Sequence, residues 1–512
     1  MYLWKKKNKK KMKKLKQIVS FLGLKKKVED IEVLDLEIDS RKIKEGSAFL
    51  ALKGTRTNGL KYMRSAQEAG AAAILYQEKN PPSDEDLEGV TIPVIKIPKD
   101  KKIGLLASWF YDNPSNKIGL IGITGTNGKS TITQLIAQWL SFGMDTKCAV
   151  LGTLGFGFLP DLQKSSNTTL DAVTLQKTLY QMVHQGAHYA ALEVSSIGAV
   201  EGRIDGCTFS AAGYTNLTRD HLDYHKTMEN YAEAKLNFLK RVPPKRIVLN
   251  VDNEQGIKYS EELHGCVAYS CKSDFFSSTN SLLFNRYVWI KSATYKAHSI
   301  VIEVESSYGS GKCEIGLLGG FNVENFACAL TVLLNLGFPL DKLLATASKL
   351  KPIKGRMECF TAEHKPHIVV DYAHTPDGVE QVLRGVREHH PDGEIWCVLG
   401  CGGDRDKGKR PIMAIKASVF ADHAVFTSDN PRTEDPKAIL DDMQNGVIAE
   451  AHNFICIEDR EKAIKYAFEH ATEKDCIVIA GKGHEDYQIF KDKTIHFSDR
   501  EIACKLLGVK CD

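Results

Sequence analysis

Short apolar runs, each closed by glycine or a polar cluster, alternate along this chain with stretches of helical spacing. The pattern is sharpest between residues 117 and 140. There an apolar strand leads into a Gly-rich turn carrying Lys129, Ser130 and Thr131, and Ile132, Leu135, Ile136, Trp139 and Leu140 then recur at helical period. Gly143 is placed to end that helix. Further apolar strands are expected at 147–151, 189–194 and 246–251, a β-rich part at 266–317 and an apolar helix at 322–336. Upstream, strands at 48–52, 72–76 and 94–97 with a helix at 62–71 form a small unit that ends near Asn113-Pro114.

A second alternating unit follows a hinge at Leu350-Lys351-Pro352. Runs at 367–371, 395–399, 424–427 and 476–480 pass directly into DYAHTPD, GCGGDRDKGKR, TSDNPRTEDP and GKGHEDYQ. Val- and Ile-rich runs of this kind read as buried parallel strands, and ligands of open α/β sheets sit beyond their carboxyl ends. The expected class is α/β with three domains. They are a small N-terminal α/β domain (26–113), a central P-loop-type parallel sheet domain (114–350) and a C-terminal Rossmann-like α/β domain (351–512). Residues 1–25 read as a basic disordered extension, with Met12 as an alternative start.

Composition narrows the function classes. The 512 residues are 43% hydrophobic and 26% charged, as in a soluble protein of several domains. Nine lysines between residues 5 and 16 supply much of the formal charge of +4, so the rest of the chain is near neutral and does not argue for nucleic acid. The apolar stretch after them is short and ends in lysines, without a cleavage site, which argues against a signal peptide. No window approaches the ~18 apolar residues of a membrane span. The 13 cysteines include no C-x-x-C pair, so reduced thiols and a cytoplasmic location are expected; a monomer is expected as well.

The turn TGTNGKS departs from the general phosphate loop, because Ile123 stands where its first glycine would be. It keeps what the chemistry needs: backbone N–H groups at a helix N-terminus, a lysine for outer phosphates and a hydroxyl for Mg²⁺. Glu193, at the end of an apolar strand, is either a metal-holding carboxylate beside that loop or a solvated strand end. Asp220, His221, Asp223 and His225 look like a metal cluster, or else share a polar helix face. Lys235 falls on the apolar side of a helix with Met228, Tyr231, Ala234 and Phe238. It either snorkels to solvent or is a neutral, reactive amine. Asp429, Asn430 and Arg432, fixed between Pro431 and Pro436, offer partners for both charges of an amino acid.

Taken in order from residue 38 to 500, TGTNGKST, LEVSS, NLTRDHLDYH, FNVEN, GRME, DYAHTPD, GGDRDKGKRP, DNPRTEDP and GKGHE resemble the Mur ligase family. The resemblance implies an ADP-forming amide ligase of peptidoglycan precursor synthesis, and through it a part in cell-wall biogenesis, cell shape and division. It implies that Gly125, Thr126, Asn127, Gly128, Lys129, Ser130 and Thr131 bind ATP, with Asn325, Arg356 and His374 near the nucleotide. Ser130, Glu193, His221 and Lys235, the last as a carbamate, would surround Mg²⁺, and Lys129, Lys235 and His221 would be catalytic. Ser40, Thr55, Arg56, Thr57, Asn167, Thr168, Thr169, Ser195, Glu201 and Arg203 would bind UDP-MurNAc-L-Ala-D-Glu. Arg405, Asp429, Asn430, Pro431, Arg432, Gly481 and Glu485 would bind the incoming amino acid, and Arg432 implies meso-diaminopimelate rather than lysine. Two positions depart from the family pattern: Ile197 stands for a histidine and Glu201 for a glutamine. The competing readings are a lysine-adding or folylpolyglutamate-type sister ligase, and a nucleotide switch or motor, which leaves Lys235 and the 429–432 loop unexplained.

Overall fold

The chain folds into two compact units, and the computed structural model describes residues 13–54, 57–165, 167–274, 284–296, 298–447 and 453–511. The first unit takes the residues up to 120 together with 169–188 and 198–209, so it is discontinuous in sequence. Its parallel sheet runs Asp35–Glu37, Ser47–Ala51, Ala73–Gln77, Val94–Ile97. Alternation along these strands feeds two cores. Ala48 and Leu50 face the helix Ile103–Phe110 and Val173 of the helix Ala172–His184, while Phe49 and Ala51 face Leu60 and Met63. Asp171 caps the helix Ala172–His184 by accepting from the N–H groups of Val173 and Thr174.

The expectation of disorder across 1–25 is corrected for its second half; residues 1–12 lie outside the described residues. Lys13–Lys14 pairs antiparallel with Glu32–Val33, and Leu15–Phe21 is a helix. Leu15, Ile18, Val19 and Leu22 follow i, i+3, i+4, i+7 spacing and are buried in the same core as Leu36 and Leu50. Lys14 and Lys16 meanwhile reach Asp30 at the surface.

The second unit contains, among the described residues, an 11-stranded and a six-stranded sheet. In the larger sheet the strand Gly119–Thr124 lies centrally, between Tyr189–Glu193 and Ala211–Tyr214. The helices Lys129–Gln138 and Gly320–Asn335 bury Leu135, Ile136, Phe326 and Leu330 in one core beside it. The first of these passes into a π turn, Trp139–Gly143, and stops at the expected glycine. The β-rich part is an antiparallel run of Tyr287–Lys296, Ser299–Ser306 and Gly309–Ile315 at the sheet edge.

The smaller sheet runs Glu358–Phe360, His367–Asp371, Cys476–Ala480, Ile395–Cys401, His423–Ser428, Phe454–Cys456. All its pairings but the first are parallel. The carboxyl ends of its four inner strands therefore share one edge, which brings the four polar loops named above together. No helix among the described residues is long and apolar enough to cross a membrane.

Candidate active site

The phosphate loop is built so tightly that side chains are excluded at two positions. Gly125 has φ of 151°, and a Cβ there would lie 1.8 Å from Thr215 Oγ1. Gly128 caps the helix at φ 87°, and its Cβ would lie 2.5 Å from Asn325 Oδ1. Asn325 is itself fixed, donating from Nδ2 to Asn322 Oδ1 at 2.9 Å. The Lys129 ammonium folds over the loop and donates to the carbonyls of Gly125 (2.9 Å) and Thr126 (2.7 Å). Burial, chiefly, pulls its pKa below the ordinary lysine value, against the pull of Glu193 and Asp220.

Around this loop the structure gathers most of the residues expected there. Arg356 Nη2 lies 3.4 Å from Ser130 Oγ, its guanidinium sits 4.5 Å from the Tyr372 ring centre, and its buried Nε has no hydrogen-bond partner among the described residues. His374 Nδ1 donates to Tyr372 O at 2.8 Å, and burial, then Lys409, pushes its pKa down to about 4. A cavity of about 360 Å³ opens here, lined by Asn127, Gly128, Asn325, Arg356 and His374 among others, a size suited to a small-molecule ligand. A second cavity of about 410 Å³ shares Glu324 and Phe321 with it. Burial, then the neighbouring Asp252 and Asp377, pushes Glu324 up to about 7.

Glu193 is buried, and its carboxylate accepts from Thr153 N–H (2.9 Å) and Oγ1 (3.0 Å), which fixes its orientation. Sequence reasoning did not single out Thr153; a hydroxyl just past a neighbouring strand end was its only signal. His221 sits at φ 52° with Nε2 3.4 Å from Asp220 Oδ2. Burial first, then the Lys129 and Lys235 charges, lowers its pKa and favours the neutral, ligating imidazole.

The compact metal cluster entertained for residues 220–225 does not form. His225 turns to Ser196 Oγ (2.9 Å), Asp223 is exposed, and no three His, Cys, Asp or Glu residues converge on a metal position among the described residues. What remains near Lys129 is a hydroxyl (Ser130), an oriented carboxylate (Glu193) and a neutral imidazole (His221). That oxygen-rich set fits a hard cation such as Mg²⁺ only if a further anionic donor joins it.

Lys235 settles between its two readings: it does not snorkel. Its side chain is 1% exposed, makes no ion pair among the described residues, and holds Nζ 4.2 Å from the Tyr231 ring centre. Burial, reinforced by the Lys129 charge, drives its pKa well below the lysine norm.

The polar loops of the smaller sheet bring Asp429, Asn430, Arg432 and Glu485 together. Asn430 Nδ2 donates to Glu485 Oε2 at 2.9 Å, and Asn430 Oδ1 accepts from Ile489 N–H at 3.0 Å. Arg432, at φ 55°, donates to Gly403 O at 2.7 Å, while Arg405 donates to Asp404 O at 3.1 Å. Gly481, at φ 117°, continues the strand by donating to Asp371 O at 3.1 Å. Two members of this group were missed from sequence. Lys482, fully buried, lies 3.3 Å from Asp429 Oδ1 and 3.1 Å from Glu485 Oε2. Arg460, also fully buried, pairs with Asp499 at 2.7 Å and donates to Ala480 O at 2.9 Å and Ser428 O at 3.4 Å, the ends of two strands.

Of the remaining expected residues, Thr55 and Arg56 lie outside the described residues. Ser40, Thr57, Thr169, Glu201 and Arg203 belong to the first unit; Asn167, Thr168 and Ser195 belong to the second. Glu201, the departure from glutamine, takes both Nε (2.9 Å) and Nη2 (2.6 Å) of Arg203, whose Nη1 donates to Thr169 O at 2.8 Å. In the second unit Thr168 Oγ1 lies 3.1 Å from Thr153 Oγ1.

A Gly-rich loop after a central parallel strand of one mixed sheet, with a charged loop cluster at the carboxyl edge of another, marks a multi-domain α/β enzyme. Comparison with known proteins makes the class specific. Residues 33–111 match the Mur ligase family catalytic domain, 123–333 the Mur ligase middle domain and 355–483 the Mur ligase glutamate ligase domain. A UDP-N-acetylmuramoyl-L-alanyl-D-glutamate–2,6-diaminopimelate ligase of Vibrio parahaemolyticus is 45% identical over 93% of this chain and 95% of its own. One of Haemophilus influenzae is 42% identical over 96% of this chain and 100% of its own. A solved structure of a ligase of the same name superposes with a TM-score of 0.63 at 34% identity, covering 97% of this chain and 99% of that one. The chain belongs to the Mur ligase family.

Proposed function

We propose that this enzyme adds meso-diaminopimelate to the D-Glu γ-carboxylate of UDP-MurNAc-L-Ala-D-Glu, with ATP converted to ADP and phosphate. The relatives at 42–45% identity carry that activity in their names. The observation that carries the reading is the loop cluster at 429–432 and 481–485. It sets carboxylates (Asp429, Glu485) beside guanidinium groups (Arg432, Arg405) that have no carboxylate partner among the described residues. The distal end of diaminopimelate carries an ammonium and a carboxylate; the end of a lysine side chain carries only the ammonium. Arg432 thus favours diaminopimelate over lysine, and a nucleotide switch has no use for such a cluster.

In the reaction, a γ-carboxylate oxygen of D-Glu bonds to the γ-phosphorus of ATP while the bond to the β,γ-bridging oxygen breaks. The products are an acyl phosphate and ADP. The diaminopimelate amine then adds to the acyl carbon, the tetrahedral intermediate expels phosphate, and the amine gives up its proton. Phosphoryl transfer needs alignment and charge compensation more than covalent help. Lys129 supplies a cation over the loop, and Arg356, stacked on Tyr372 with an Nε that has no partner among the described residues, is poised for a nucleotide oxygen. Ser130, Glu193, His221 and a carbamate on Lys235 would hold Mg²⁺, which when bound would offset charge on the transferring group. Asn325 and His374 would flank the nucleotide, and Ser40, Thr57, Asn167, Thr168, Thr169, Ser195, Glu201 and Arg203 would hold the UDP-muramoyl dipeptide. We place the enzyme in the cytoplasm, in keeping with its 13 free cysteines, and take it to act as a monomer.

Phosphate release is the test, measured with UDP-MurNAc-L-Ala-D-Glu and ATP plus either amino acid. Release dependent on diaminopimelate is expected. Release that ignores both amino acids would sink the ligase reading, and release with lysine alone would sink the substrate.

A further inference from the structure

Lys482 has no role in the scheme above, yet it is a fully enclosed cation of the loop cluster. Its side chain is 0% exposed, and its ammonium lies 3.3 Å from Asp429 Oδ1, 3.3 Å from Asn430 Oδ1 and 3.1 Å from Glu485 Oε2. The Tyr487 ring closes it from another side, with its centre 5.5 Å away. The surrounding backbone is pinned: Gln488 Nε2 donates to Asp429 O at 2.6 Å and Ile489 N–H to Asn430 Oδ1 at 3.0 Å. The other carboxylates nearby are already engaged, Asp404 with the Thr433 hydroxyl (2.7 Å) and Glu434 with Arg410 (2.8 Å).

The cluster is therefore lopsided before any ligand arrives. Its two ligand-facing carboxylates share a built-in ammonium, while Arg432 and Arg405 make no ion pair among the described residues. A ligand head bearing only an ammonium must compete with Lys482 for Asp429 and Glu485, and it leaves both guanidinium groups unpaired. A head that brings a carboxylate with its ammonium satisfies the guanidinium groups first. Selectivity of this kind comes from penalising the wrong ligand: an ammonium that takes Asp429 and Glu485 leaves the fully buried Lys482 without its counter-charges.

We propose that Lys482 is a specificity-determining residue, an internal counter-ion that makes the cluster reject a lone ammonium and accept an ammonium–carboxylate pair. The inference rests on the assignment of this cluster to the incoming amino acid. It predicts that selectivity is set jointly by Arg432, which attracts the extra carboxylate, and by Lys482, which withholds the acidic side from lysine.

The experiment compares kcat/KM for meso-diaminopimelate and for lysine in the full-length enzyme, its Lys482→Met variant and its Lys482→Arg variant. In Lys482→Met the ratio should fall by about tenfold or more, a step worth about 1.4 kcal/mol, chiefly through a lower KM for lysine. In Lys482→Arg, which keeps the charge, it should stay near the parent value. Parallel loss of both activities in Lys482→Met, or an unchanged ratio, would overturn the proposal by reducing Lys482 to a structural role. If Lys482→Met does not fold, Lys482→Met/Glu485→Gln removes one charge of each sign, and its ratio should fall relative to Glu485→Gln alone; an equal ratio overturns the proposal. A parent enzyme that does not prefer diaminopimelate removes the assignment of the cluster itself, an outcome separate from a preference that survives the loss of Lys482.

Discussion

Lys235 and Lys482 are both buried lysines, and their surroundings push them to opposite chemistry. Lys482 is enclosed by two carboxylates and stays a counter-ion. Lys235 is buried against an aromatic face with a second cation, Lys129, near it, and burial outweighs the opposing pull of Asp220 and drives it toward the neutral amine. A neutral amine adds to CO₂ and, on losing a proton, becomes a carbamate, which in the reading proposed above is the further anionic oxygen donor beside Glu193. Lys235→Ala should therefore lower kcat by about 100-fold or more, with partial recovery on adding a short carboxylate such as formate. With ¹³C-labelled bicarbonate, the parent protein should give a carbamate carbon resonance that the variant lacks. Full activity in Lys235→Ala would remove the residue from the mechanism. The sequence made Lys235 legible because helical spacing alone put it with Tyr231 and Phe238. Lys482 was illegible because its enclosure depends on Asp429, 53 residues away.

At the scale of single elements, the helix Lys129–Gln138 gains its function at its N-terminus, where backbone N–H groups point outward without intrahelical partners. Gly128 is the hinge of that arrangement. Its left-handed backbone strains any other residue by about 1–2 kcal/mol. A methyl group there would also meet Asn325 Oδ1, which Asn322 holds in place. Gly128→Ala should thus be less stable by roughly that amount in denaturant titration, and should raise the KM for ATP while that for the amino acid holds. Equal rises in both would show a general loss of fold rather than a local one. Parallel strands such as His367–Asp371 and Cys476–Ala480 were readable because burial on both faces leaves an unbroken apolar run. The helix Leu15–Phe21 was missed because nine lysines between residues 5 and 16 dominate the segment that leads into it, although only Lys16 lies within the helix, whose spacing carried the true signal. Charge density describes what the solvent sees, and periodicity what the core sees.

Across the second unit, the two sheets are joined by contacts in which histidine does much of the bonding. His389 accepts from Gly319 N–H through Nε2 at 2.9 Å and donates from Nδ1 to Lys296 O at 2.6 Å, an arrangement only the neutral ring can make. His367 Nδ1 and His390 Nε2 lie 3.3 Å apart, so at least one of them must be unprotonated, and His298 approaches His367 ring to ring. Burial lowers all three titrations, and His390 is pushed down to about 4, with His367, His389, His298 and Arg387 adding like charge. An unfolded histidine titrates near 6.5, so between about pH 6.5 and 4 the unfolded chain binds more protons at His390, with His367 and His389 acting in the same direction, and stability falls as pH falls. Glu324, pushed up to about 7, acts in the opposite sense over part of that range, since its protonated form favours the folded state. The parent's own stability curve mixes the two, and a difference between proteins separates them. His390→Asn should gain on the parent as pH drops, by roughly 1–2 kcal/mol between pH 7.5 and 5. Glu324 is not among the groups acting on His390, so its titration cancels, while His367, the ring partner of His390, contributes to the difference. Thermal unfolding of the pair across that range reads the difference directly, and a gap that does not change with pH would show that the His367–His390 contact carries no protonation penalty.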